Sequence, residues 1–182
     1  RIVLGNHDAR LEKQLRTHLT TAMVDAVRCL TGGTLCPVTA LAKSYPNVSV
    51  AAHPLPSGAS VSWFTTSGDA WLGHPEKFSR VPGSALRATE DWVLDNEGPM
   101  GLGHYRLIVM GHTHQLMLMP WRSSQLLVEC GCLCKTMDYM RQPRIGGRPQ
   151  KRGYVTFAQK EGHTDLNSVK MHWFDVQEAT TS

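Results

Sequence analysis

No apolar run in this 182-residue sequence approaches the roughly 20 residues needed to cross a bilayer as a helix, so it holds no helical membrane span. Cysteine is scarce and odd in number. Five residues, without a regular framework of spacings or a secretory leader, point to reduced thiols in a cytoplasmic compartment rather than to a disulfide scaffold. Charge of one sign is also in short supply. A formal net charge of +4 permits an anionic substrate but falls short of the excess expected from a dedicated nucleic-acid coat. The sequence has no initiator methionine, and Ile2-Val3-Leu4 opens as an interior strand does, so further residues upstream are expected.

The length suits one domain with a substantial core, expected over residues 1–176 and followed by a frayed tail at 177–182. Asp8 is placed to cap a helix. Leu11, Leu15, Leu19, Ala22, Met23, Ala26, Val27 and Leu30 then recur at three- and four-residue intervals until Gly32-Gly33 ends the pattern. Alternating stretches at 48–52, 61–65 and 70–72, separated by Pro54, Pro56, Gly58 and Gly68, predict short paired strands. A second helix is predicted from about Gly83 to Asn96, with Ala85, Leu86, Ala88, Trp92 and Val93 inward. Residues 105–110, 116–119, 126–129, 154–158 and 169–174 predict five more strands, with a loop rich in Arg, Pro and Gly over 141–153.

Two strand ends carry the chemistry. Arg1-Ile2-Val3-Leu4-Gly5-Asn6-His7-Asp8 and Leu107-Ile108-Val109-Met110-Gly111-His112-Thr113-His114 each run from an apolar strand through a glycine into side chains able to bind metal. Glycine there lets the backbone turn sharply and approach a ligand. Phosphate esters repel nucleophiles, and two divalent cations about 3.5–4 Å apart overcome this by binding phosphoryl oxygens and ionising a water. Asn6 offers a neutral carboxamide oxygen, and His112 and His114 offer imidazoles. In extended chain, residues two apart face the same way, so the two histidines are expected to share one pocket. His7, beside a ligand but not itself bound, suits protonation of the leaving alkoxide.

Gly5–Asp8 and Gly111–His114 resemble the third and fifth sequence blocks of the calcineurin-like metallophosphoesterases, in the right order. The fourth block of that family is a lone histidine, best matched by His74 at the end of Asp69-Ala70-Trp71-Leu72-Gly73, with His53 and His104 as lesser choices. The resemblance implies an α/β fold, the family's four-layer α/β/β/α sandwich with its N-terminal part missing. It further implies that Asn6, His74 and His112 hold one metal ion, that His114 helps hold a second, and that His7 donates the proton. The first two blocks, which supply the bridging aspartate and the remaining ligands, are absent from this sequence. This portion is therefore expected to bind at most one metal well and to need the upstream part for turnover. Residues 74–79 and 129–133 look like phage-type or DNA-repair-exonuclease-like members.

The activity implied is hydrolysis of a phosphate mono- or diester, with nucleic acid among the candidate substrates. Manganese or iron is favoured for mixed nitrogen and oxygen ligands, with zinc or nickel the other candidates. Arg10, one turn beyond the Asn-His-Asp turn, is placed to steady a phosphate. The alternative is a non-catalytic metal-binding scaffold or nucleic-acid-binding module that keeps the fold. Arg141, Arg144, Arg148, Lys151 and Arg152 suit a polyphosphate backbone, and Tyr139 or Tyr154 a stacked base, although a solvated loop explains the same residues. Cys130, Cys132 and Cys134 alternate, yet lack a Cys-x-x-Cys pair or a partner at finger spacing, and are expected to be small packing residues rather than zinc ligands. His18, His163 and His172 have no motif around them and are expected on the surface or a strand face.

Overall fold

The computed structural model describes residues 13–50, 64–75, 79, 81–97, 104–133 and 151–174. It is an α/β protein whose chain divides into two compact units, residues 1–65 with 73–76, and residues 66–72 with 77–182. In the first unit, residues 13–18 are helical and helix α1 spans Thr21–Leu30. The single helix expected from Asp8 onward is thus two. Thr20 explains the break: its backbone turns extended and its hydroxyl accepts the Met23 N–H at 3.4 Å, because a threonine gains more as a cap than inside a helix. Gly33 N–H then reaches the Arg28 carbonyl at 2.7 Å, and Gly32 and Gly33 take the left-handed conformation that closes α1 as expected.

Helix α2 (Pro37–Lys43) is not foreshadowed by the sequence pattern. Proline at its first position is preorganised for helix, and the Lys43 ammonium ties it back to the Gly32 carbonyl at 2.6 Å. The expected strand at 48–52 is not present over residues 48–49; Val50 makes a bridge, and residues 51–52 lie outside the described part.

The second unit is built on a five-stranded sheet, and the division between units runs through its strands β1 (Phe64–Ser67) and β2 (Ala70–Gly73). The other strands are β3 (Leu107–Met110), β4 (Leu116–Trp121) and β5 (Gln125–Cys130), in the order β1-β2-β3-β5-β4. β3 and β5 run parallel, with Leu107 opposite Leu126 and Met110 opposite Glu129, while β4 returns antiparallel on the outside of β5. The strands β6 (Gly153–Lys160) and β7 (His163–Trp173) form a separate antiparallel hairpin.

Period-two alternation sends the side chains of the central strands to opposite faces. One face presents Leu107, Leu126 and Val128, which bury themselves with Ala70 and Val169 and are flanked by Val109, Leu118, Val155, Phe157 and Leu166. The β6–β7 hairpin therefore covers that face. The other face presents Ile108, Met110 and Leu127, all buried, and there helix α3 (Ser84–Glu97) donates from Thr89 Oγ1 to the Met110 sulfur at 3.3 Å. Ala85, Leu86 and Val93 of α3 are buried as expected, and Ala88 and Trp92 are half-buried.

Glu90, on the same helix, is 1% exposed. A buried carboxylate is tolerated only when paired. Glu90 Oε1 accepts from the Tyr105 hydroxyl at 2.7 Å and meets Arg122 Nη2 at 2.9 Å, so it joins α3 to the start of β3 and to the β4–β5 turn.

At the same end of the sheet, where Arg106 N–H donates to the Asp69 carbonyl at 2.8 Å, the β1–β2 turn is lashed to the β6–β7 turn. Asp69 N–H donates to the Gly162 carbonyl and Thr164 N–H to Asp69 Oδ1, both at 2.9 Å, while Gln159 Nε2 reaches the Ser67 carbonyl at 2.6 Å.

Candidate metal centre

β3 is the four-residue run Leu-Ile-Val-Met, three of its side chains fully buried, and it ends at Gly111 on the carboxyl edge of the sheet. β5 runs parallel beside it and ends on the same edge. In open α/β sheets, ligands bind just outside such strand ends. The loop from Gly111 to Gln115 must leave β3, pass the end of β5 and enter β4 on its far side, and it carries His112 and His114 in that passage.

Both histidines take left-handed backbone conformations, φ 80° at His112 and 55° at His114. The expectation that they share an extended, period-two segment is therefore corrected. A Cβ-bearing residue at positive φ costs roughly 1–2 kcal/mol, so two in one loop must be imposed by their surroundings. The imposing contacts are visible. Thr113, buried between the histidines, donates its N–H to the Gly111 carbonyl at 3.1 Å, and its hydroxyl accepts from Gln115 N–H at 3.4 Å. The Gln115 carbonyl accepts from Gly131 N–H at 2.7 Å, and the His114 carbonyl from Lys151 N–H at 3.0 Å. The chain leaving β5 and the chain entering β6 thus clamp the histidine loop from two sides. Both residues are half-buried.

Glu129 is a candidate that the motifs do not single out. It is buried at the carboxyl end of β5, its Cα paired with Met110 of β3, one residue before Gly111. Its signal in the sequence is an acid closing the apolar run Leu126-Leu127-Val128. A carboxylate there can serve as an oxygen ligand or orient an imidazole. Next to it, burial pushes the Cys130 thiol above its ordinary 9.0, a backbone hydrogen bond opposes the shift, and the Glu129 charge adds to it. Cys130 is therefore a protonated packing thiol at neutral pH. Cys29, Cys36 and Cys130 form no disulfide, and Cys132 Sγ donates to the Lys151 carbonyl at 3.9 Å.

Asn6, His7, Asp8, Arg10, His53, Tyr139 and Cys134 lie outside the described residues, as do residues 141–150 and the tail at 177–182. His74 follows Gly73 at the end of β2, half-buried, and belongs to the first unit, whereas His112 and His114 belong to the second. His104 stands exposed ahead of β3, and His18 and His163 are exposed as expected. Among the described residues, no three or more His, Cys, Asp or Glu side chains gather in a metal-binding group. His112 and His114 on one loop and Glu129 at the adjoining strand end share one edge of the sheet without forming such a group. No helix among the described residues is long and apolar enough to cross a membrane. No family model, no curated protein and no solved structure matches the chain.

Proposed function

We propose that the chain is the carboxyl-terminal portion of a metal-dependent phosphoesterase of the calcineurin-like kind, with the family's four-layer sandwich completed by the part upstream. The observation that carries this reading is the Gly111–His114 loop: two half-buried histidines held at positive φ on the carboxyl edge of a buried parallel strand. Strained backbone of this sort persists where a site needs it. Mixed nitrogen and oxygen donors fit manganese or iron.

In this proposal Asn6, His74 and His112 hold one metal ion and His114 helps hold a second. An ion held there supplies positive charge against the phosphoryl oxygens and acidifies water. His7 delivers a proton to the leaving alkoxide and Arg10 steadies the phosphate. The hydrogen bonds from Gly131 and Lys151 keep the histidine loop from relaxing when substrate departs.

The test has two parts. Calorimetric titration of the chain with Mn2+ should show one site that His112→Ala weakens at least tenfold and His114→Ala weakens less. The chain joined to its upstream portion should hydrolyse a bis-aryl phosphate with added manganese, and His7→Asn should abolish turnover while leaving Mn2+ binding intact. Manganese affinity indifferent to both loop substitutions would overturn the assignment of the ligands, and turnover indifferent to His7→Asn would overturn that of the acid.

A further inference from the structure

The outward face of the β6–β7 hairpin carries a second chemistry, remote in kind from metal binding. Its inward residues, Val155, Phe157, Leu166 and Val169, pack on the core. Outward positions of a half-buried hairpin are ordinarily polar. Here they include Tyr154 and Phe174, 41% and 44% exposed. Tyr154 stacks on His172 across the strands with ring centroids 4.6 Å apart and planes 12° from parallel, and Phe174 leans against Tyr154 at 5.7 Å. The His172 ring is steadied in turn by Thr156 Oγ1 at 2.8 Å from its Nε2. A cross-strand pair by itself would account for Tyr154 on His172. It does not account for Phe174.

Among the described residues, charge on this end of the hairpin is of one sign. The paired positions Gly153–Thr156 and Lys170–Trp173 contain no acid, and exposed Lys170 stands opposite Thr156, with Lys151 and Arg152 immediately before β6. Preorganised, solvent-facing rings beside cations are what binds unpaired bases and their phosphates, since every base offers a π-face and every linkage a negative charge. Duplex hides the base faces. We propose that the outward face of the β6–β7 hairpin is a stacking platform for single-stranded nucleic acid, with Tyr154 and Phe174 taking bases and Lys170 taking phosphates.

The platform does not depend on the phosphoesterase reading, and its test is run in EDTA so that the two stand or fall separately. Fluorescence anisotropy of the whole chain with dT and rU oligomers of about 12 nucleotides should show binding that weakens as salt rises. Tyr154→Ala and Phe174→Ala should each weaken it by roughly 5- to 150-fold, while Tyr154→Phe, which keeps the ring, should not. Lys170→Gln should make the slope of log affinity against log salt shallower by about 0.7. Preference between the two oligomers distinguishes DNA from RNA as the source of the strand. Lys170→Glu, a change at an exposed side chain, keeps the test valid if an aromatic variant fails to fold. Affinity unchanged in Tyr154→Ala and Lys170→Glu would overturn the proposal. So would equal affinity for duplex, or for phosphatidylserine vesicles, with the same indifference to Tyr154.

Discussion

Replacing Gly68 with alanine tests whether the two turns at the far end of the sheet are as closely joined as their hydrogen bonds imply. Gly68 sits at φ 56°, and a Cβ there would lie 1.9 Å from the Gly162 carbonyl oxygen and 2.5 Å from its carbon. Both are backbone atoms and cannot rotate away. Since Cβ atoms do not approach other heavy atoms closer than about 3 Å, the turns must part by at least 1.1 Å, the difference between 3.0 and 1.9. Asp69 N–H to Gly162 O and Thr164 N–H to Asp69 Oδ1, both now 2.9 Å, would then stretch out of bonding range. The left-handed conformation costs an alanine roughly 1–2 kcal/mol. The neutral bond contributes about 0.5–1.5 kcal/mol and the one to a carboxylate about 1.5–3. Gly68→Ala is therefore expected to cost about 3–6 kcal/mol, a fall in Tm of about 10–20 °C for a chain of this size.

Gly162→Ala is the matched control. It has a positive φ of 84° in the facing turn, but its nearest neighbour, Gly68 Cα, lies at an ordinary 3.5 Å. It should cost only the conformational term, about 1–2 kcal/mol. Urea unfolding of both variants measures the difference. Equal losses would show that positive φ alone matters and that the turns are not in contact, which would refute the reasoning.

Tyr105→Phe takes the phenol hydrogen bond from Glu90, leaves the carboxylate to Arg122, and should cost about 1–3 kcal/mol in urea unfolding; a neutral outcome would mean that the buried carboxylate is satisfied without the phenol. The Cys130 thiol, raised above 9.0 in the folded chain, keeps its proton when the unfolded chain loses it. Stability contributed by this group is thus complete below 9.0 and declines as pH rises above it, and iodoacetamide at pH 8 should modify exposed Cys29 well before Cys130, followed by mass spectrometry. His112→Gly and His114→Gly each release a positive-φ backbone, so stability should stay within about 1 kcal/mol of the parent even as Mn2+ binding weakens. A large loss of stability would assign the two histidines to the fold rather than to a site.

Apolar runs such as Leu107–Met110 and the spacing of Ala85, Leu86 and Val93 make strands β3 to β6 and helix α3 legible in the chain itself, with ends within a few residues, whereas β7 begins at His163, six residues ahead of the expected 169–174. The glycine-led histidine loop is equally plain as a place where a strand stops. Other features mislead or stay silent. Thr20 sits in an unbroken helical period, and only its hydroxyl's competition for the Met23 N–H divides the helix. Glu90 falls at helical spacing from Leu86 and Val93 on the buried stripe, and nothing in its neighbours announces Tyr105 and Arg122 as partners.

Periodicity and turn chemistry are properties of a few consecutive residues, and these by themselves determined which segments became strand, helix or turn. Pairing is a property of segments far apart in the chain, and tertiary structure alone decided it. It set β5 between β3 and β4, brought Glu129 to the edge that bears the histidine loop, and laid Tyr154 against His172. It also fixed the left-handed φ of His112 and His114, because that conformation is uphill for an isolated histidine and is held by contacts that include Gly131 and Lys151 arriving from beyond β5.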